Sequence, residues 1–176
     1  MKNARLLTAA MGAGALALAG TAIGAASGPS DPEIAHIAYT AGVIDVAAGK
    51  QALAKSHNAK VRAFAKTMVR DHEAVNGQAL ALVGKLKVTP AANDTSKHLS
   101  RQAEATKKRL AALNGRAFDR AYVANEVAFH RTVNGALNQT LIPNADNAEL
   151  KSLLETGLAL FQEHQKHAEH LAQSVR

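Results

Sequence analysis

Apolar side chains recur roughly every three to four positions through most of this chain, and no alternating β-branched run of useful length interrupts them. That period predicts helices. Between about residues 59 and 86, Val61, Phe64, Ala65, Met68, Val75, Ala79, Leu82 and Leu86 share one face. From about 32 to 56 the stripe is Ile34, Ile37, Ala41, Ala48 and Ala52, on a helix so rich in alanine that its faces differ little. A third long helix covers about 116–141. A fourth runs over about 146–173, where Leu150, Leu153, Leu154, Gly157, Leu160, Phe161, Ala168 and Leu171 line up. The punctuation agrees: Ser30/Asp31-Pro32-Glu33 is a helix start, and His57-Asn58, Val88-Thr89-Pro90 and Pro143-Asn144 are breaks. A short basic helix over about 94–113, capped by Asp94 or Thr95 and stopped by Asn114-Gly115, bridges the two pairs. Hairpin, helical crossover, hairpin is the layout of an all-α, ferritin-like antiparallel four-helix bundle, expected here as one domain over 33–173.

Ionisable residues that fall within these apolar stripes are the candidates for chemistry. His72 lies within about 40° of the stripe centre of the second helix, while Asp71 lies about 60° off on the other side. The first helix contributes Asp45, between Ala41 and Ala48. The third offers Glu126 and His130 at i and i+4, with Glu126 central and His130 toward the edge. The fourth carries Glu163-His164-Gln165-Lys166-His167-Ala168-Glu169-His170, in which the stripe centres near His164. There His167 sits at the edge, and Glu163 and His170 face water. At 1.5 Å per residue from each hairpin turn, Asp45, His72, Glu126, His130 and His164 all come to mid-helix. Five polar groups in one central layer are costly to bury unless they pair with one another or hold a metal.

The residue types constrain the ion. Ferritin-like di-iron sites need Glu-x-x-His on two helices, but Val69 and Phe161 stand three before His72 and His164, so a di-iron centre is disfavoured. Two or three histidines with one or two carboxylates suit mononuclear zinc, copper(II), iron or manganese. Histidine ligands must be neutral, so such an ion is expected to leave on acidification through about pH 6. Without an ion, a carboxylate such as Asp45 beside His72 is expected to raise the histidine's pKa.

Residues 1–26 read as a signal peptide: Lys2 and Arg5 precede an apolar, Ala/Gly-rich core over about 6–19, and Ala25-Ala26 offers a cleavage site. An uncleaved anchor is the alternative, although the core is short for a membrane span. Residues 27–32 form a linker, and the mature chain is expected in the periplasm or otherwise exported. With no cysteine, it is held by its core alone. Cleavage lowers the 21 Lys and Arg to 19 against 14 Asp and Glu. These charges are scattered, and four Phe and two Tyr supply no stacking platform, which argues against nucleic acid and leaves peripheral envelope association open. No nucleophile triad, phosphate loop or zinc-protease motif is present, which argues against an enzyme.

Three stretches carry a resemblance: Asp45-Val46-Ala47-Ala48-Gly49-Lys50, the run 61–72 ending in Met68-Val69-Arg70-Asp71-His72, and Phe118-Asp119-Arg120-Ala121-Tyr122. With His130 and Glu163-His164, they resemble the bacterial exported family catalogued as domain of unknown function 4142, over about residues 33–172. The resemblance implies a ferritin-like bundle in the periplasm or outer envelope, with recurring histidines at 130 and 164. This chain has Asp45 where the family pattern has Glu, and Glu126 where an uncharged residue is usual. Two function classes follow. One is a metal-binding protein using His72, His130 and His164 with Asp45 or Glu126, for metal buffering or an envelope stress role. The other is an envelope structural or interaction protein whose polar cluster only fixes helix packing.

Overall fold

Residues 28–175 are described by the structure, a computed structural model. The expected leader, residues 1–26, lies outside the described residues. Helices α1 (Asp31–Lys55) and α2 (Ala59–Leu86) form the first hairpin; α4 (Gly115–Ala136) and α6 (Ala148–Ser174) form the second. Helix α3 (Asp94–Ala111) is the crossover, and α5 (Ile142–Asn144) is a single turn. Around the bundle the order is α1, α2, α6, α4, with α3 packed mainly on α1. Among the described residues there is no strand, and no helix is long and apolar enough to cross a membrane.

The ends of the helices are set by specific side chains. Ser30 caps α1, and the Glu33 carboxylate accepts from the Ser30 N–H and hydroxyl at 3.0 and 2.7 Å. The helix therefore starts at Asp31, inside the expected linker. Asn58 and Asn147 cap α2 and α6, each accepting from the N–H groups two and three residues on. The expected start of α6 at Asp146 shifts because the Asp146 and Asn147 N–H groups donate to Asp31 at 2.9 Å each, tying the two helix starts together. Asn93, rather than Asp94 or Thr95, caps α3 in a reciprocal pair with Ser96. The third long helix does not run evenly to 141. Leu137–Leu141 widens into a π-turn that contains Gln139, the residue whose carbonyl would face the N–H that Pro143 lacks.

Two apolar cores fill the bundle. One, at the α1–α2 turn end, gathers Val61, Phe64, Met68, Phe118, Tyr122 and Leu171. The other, at the far end, gathers Ile34, Ile37, Leu137, Leu141, Leu150 and Phe161. The buried stripe of α1 runs through Gly42, Asp45 and Gly49; Ala48, expected on it, is only half-buried. The reason is close packing on α2. A Cβ on Gly49 would lie 2.8 Å from Val69 Cγ2 and 3.2 Å from the Ala65 carbonyl oxygen. Gly49→Val should therefore force the hairpin apart, costing about 1–3 kcal/mol and lowering the melting temperature by roughly 3–8 °C in a calorimetric scan. An unchanged melting temperature would mean that α1 and α2 separate freely.

Candidate metal centre

Between the two cores lies a layer of buried polar side chains, one or two from each long helix. Asp45, Glu126 and His130 are each 1% exposed, His72 3% and His164 4%. All five sequence-predicted residues are thus brought together. One ring nitrogen from each of His72, His130 and His164 lies within 4.8 Å of the others, and Asp45, Glu126 and His130 form a second such group that shares His130. His130, expected at the edge of its stripe, is as buried as Glu126, because α1 and α6 close over that side of α4. In the C-terminal run, Glu163, His167 and His170 are exposed, and His167 sets its ring edge-on to Phe64 at 5.0 Å.

Hydrogen bonds decide which nitrogens are free. His130 Nδ1 lies 3.0 Å from the Glu126 backbone carbonyl, which can only accept, so Nδ1 carries the proton and Nε2 keeps a lone pair. His164 Nε2 lies 3.0 Å from Asp71 Oδ2. Asp71 is held below the usual carboxylate range, first by Arg70, whose Nε donates to it at 2.7 Å, and then by His164 itself. An ionised carboxylate accepts, so His164 Nε2 donates and its buried Nδ1 is left bare. Neither nitrogen of His72 has a hydrogen-bond partner, and its ring stacks on Phe161 at 4.5 Å. The two Asp45 oxygens, Glu126 Oε2 and His130 Nε2 are likewise buried without one.

Two of the spacings in this donor set are those of ligands around one ion. Asp45 Oδ2 is 3.4 Å from both His72 Nε2 and His130 Nε2. Donors around a tetrahedral ion with bonds of about 2.0–2.1 Å stand ~3.3 Å apart, which is this spacing. Asp71 stands behind His164 in the position that an outer carboxylate takes behind a metal-binding imidazole.

Below about pH 7 the layer is neutral rather than ion-paired. Burial lowers His72 to about 3, helped by the neighbouring His130 and His164, and lowers His130 to about 4. Burial also lowers His164. The same burial pushes Asp45 up to about 7, and Glu126 well above its usual range with the Asp45 charge adding to it. The expectation that Asp45 raises the pKa of His72 is therefore overturned: burial and the two neighbouring imidazoles lower it, and the carboxylate that acts in the other direction is Asp71. Neutral imidazoles are ready ligands.

Sequence reading passed over three contributors. Asp71 was placed off the stripe, yet it reaches His164 across the α2–α6 seam at 15% side-chain exposure. Phe161 belonged to the apolar count but walls the site through its stack on His72. Tyr122, one turn before Glu126, buries a hydroxyl without a partner, and burial followed by the Glu126 and Asp45 charges raises its pKa. The adjacency of Asp71 to His72 was the available signal, since neighbours on a helix point about 100° apart and can serve two seams.

The family model described as Domain of unknown function (DUF4142) matches residues 16–171. The chain belongs to that family. No curated protein matches it. Among solved structures, a protein from Streptomyces coelicolor described as secreted, DUF305, is similar at a TM-score of 0.67 and 12% identity, over 81% of this chain and 91% of that one. At that identity the likeness is one of fold, and it agrees with the helical bundle. For this DUF4142 chain, the family match covers every residue of the polar layer.

Proposed function

We propose that the protein is an exported ferritin-like bundle that holds one divalent transition-metal ion through His72, His130 and His164, with Asp45 and Glu126 completing the shell, and that it buffers that ion in the cell envelope. The carrying observation is the set of buried lone pairs without a hydrogen-bond partner, contributed by all five side chains and gathered in one layer of the bundle. The type of ion follows from the donors. Imidazole and carboxylate suit zinc, copper(II), manganese or iron(II), and with no cysteine in the chain and Met68 alone in the hairpin-end core, soft-metal chemistry is not served. Val69 and Phe161 stand where Glu-x-x-His pairs would need a carboxylate, which favours a mononuclear site. Export is supported by the pattern of residues 1–26 and agrees with the secreted description of the Streptomyces protein.

The test is elemental analysis of mature protein purified without a tag from its native compartment. One equivalent of a transition metal supports the reading. No metal, together with no stabilisation by Zn²⁺, Cu²⁺, Mn²⁺ or Fe²⁺, sinks it and leaves a polar cluster that fixes helix packing.

Within this reading the outer carboxylate has a measurable share. Asp71→Leu should weaken zinc binding about 10–100-fold in a competition titration, because His164 Nε2–H loses the acceptor that fixes its tautomer. His170→Ala, on the wet face of the same helix, should leave both affinity and stability within about 0.5 kcal/mol of the parent. Equal losses would mean that the phase of α6 is wrong.

A further inference from the structure

The two halves of the core are not filled alike. On the turn side of the polar layer, Phe64, Phe118, Tyr122 and Met68 are fully buried. On the far side, a cavity of about 350 Å³ opens among α1, α2, α4 and α6 with α3 along one border, walled mostly by alanine, valine and leucine side chains, while Asn76 of α2 and His98 and Gln102 of α3 add polar groups away from the layer. The inward positions there are small, such as Ala41 and Gly157, while Val75, Ala79 and Leu82 line the wall only half-buried. Its floor is polar. Asp45, His72 and His130 border it, each at most 3% exposed, and both Asp45 oxygens, both His72 nitrogens and His130 Nε2 have no hydrogen-bond partner.

We propose that this cavity binds a small lipophilic molecule with one neutral hydroxyl head, its apolar body against the far-end core and its O–H donated to the Asp45–His130 floor. Size supports a ligand: the volume falls in the ~300–1,000 Å³ range of small-molecule sites, and exceeds the ~150 Å³ of an engineered apolar cavity that takes up benzene. Chemistry selects the head. The His130 Nε2 lone pair accepts, and the Asp45 carboxyl keeps an accepting oxygen whether or not it carries its proton, so a hydrocarbon leaves them unpaired whereas a hydroxyl pairs them. An ionic head would have to shed its water into an apolar chamber, which excludes it. The inference uses the same polar layer as the metal reading but does not rest on an ion, because the side chains themselves recognise the head in metal-free protein.

The experiment uses chelator-treated mature protein, titrated calorimetrically with 4-butylphenol and with butylbenzene. The phenol should bind, and the hydrocarbon at least tenfold more weakly. Ala79→Phe and, separately, Ala38→Phe place a ring in the cavity, and each should lower phenol affinity at least tenfold while the zinc-induced rise in melting temperature persists. If one variant fails to fold, the other carries the comparison. Absence of phenol binding, equal binding of the two probes, or phenol binding indifferent to a folded cavity-filling variant would overturn the inference. A parent protein that binds the phenol but does not respond to zinc would support it while removing the metal reading.

Discussion

Zinc added to metal-free mature protein at pH 7.5, at a hundredfold excess over its dissociation constant, should raise the melting temperature by roughly 5–10 °C, and the rise should fade between about pH 7 and pH 5. The size follows from binding to the folded state alone, worth about 2.7 kcal/mol at that excess. The pH window comes from the carboxylates rather than from the histidines. His72 and His130 titrate at about 3 and 4 in the folded protein and are already neutral at pH 6, so protons do not compete for them there. Asp45, pushed up to about 7, and Glu126, raised well above its usual range by burial, must each release a proton to become ligands. Each costs up to about tenfold in affinity per pH unit below its own pKa. The expectation of metal loss by histidine protonation near pH 6 is thereby replaced, with the same direction and a different origin. The histidines act on the metal-free protein instead. Their folded pKa values lie below the unfolded value of about 6.5, so their share of stability is present above 6.5 and is lost as pH falls toward the folded values. A melting series from pH 5 to 8.5, with zinc and with chelator, separates the two effects. A zinc-induced rise that persists undiminished at pH 5 would show that neither carboxylate is a ligand.

Helix count, hairpin pairing and the crossover were legible because they rest on long apolar stripes, capping residues and prolines. So was the level of the polar layer, because 1.5 Å per residue turns sequence distance from a turn into height. Side-chain phase on α1 was less legible: in an alanine-rich helix the buried face is chosen by Gly42 and Gly49 fitting against α2, which hydropathy does not record. Asp71 was passed over because a stripe analysis assigns each residue to one seam. In the structure it lies on the α2–α6 seam, one residue from His72 on the inner face. The hollow half of the core was invisible for a simpler reason. Val75, Ala79 and Leu82 continue the apolar pattern of α2, but pattern reports polarity and not volume, and across the axis the facing residues are too small to meet them.

Asp45→Asn should move the protein in opposite directions with and without metal. In chelator at pH 8 the variant should melt above the parent, on the order of 5–10 °C, with the gap closing as pH falls toward 4. Asp45 in the folded protein titrates near 7 against an ordinary value of 3.8, so between those values the folded state holds a proton that the unfolded state has released. Stability therefore falls as pH rises through the window, and above about 7 the full cost of a buried carboxylate is present, a few kcal/mol. Asparagine has nearly the same shape and no charge, and its amide can donate to His72 or His130, whose Nε2 atoms lie 3.4 Å from the Asp45 oxygen. The same replacement removes the one carboxylate oxygen that sits at metal-ligand spacing from both histidines. If that loss weakens zinc binding a hundredfold, the concentration that stabilised the parent gives the variant only about 0.4 kcal/mol, or ~1 °C. A variant that is less stable than the parent in chelator at pH 8 would mean that Asp45 is favourably held without any ion. A full zinc response in the variant would remove Asp45 from the shell.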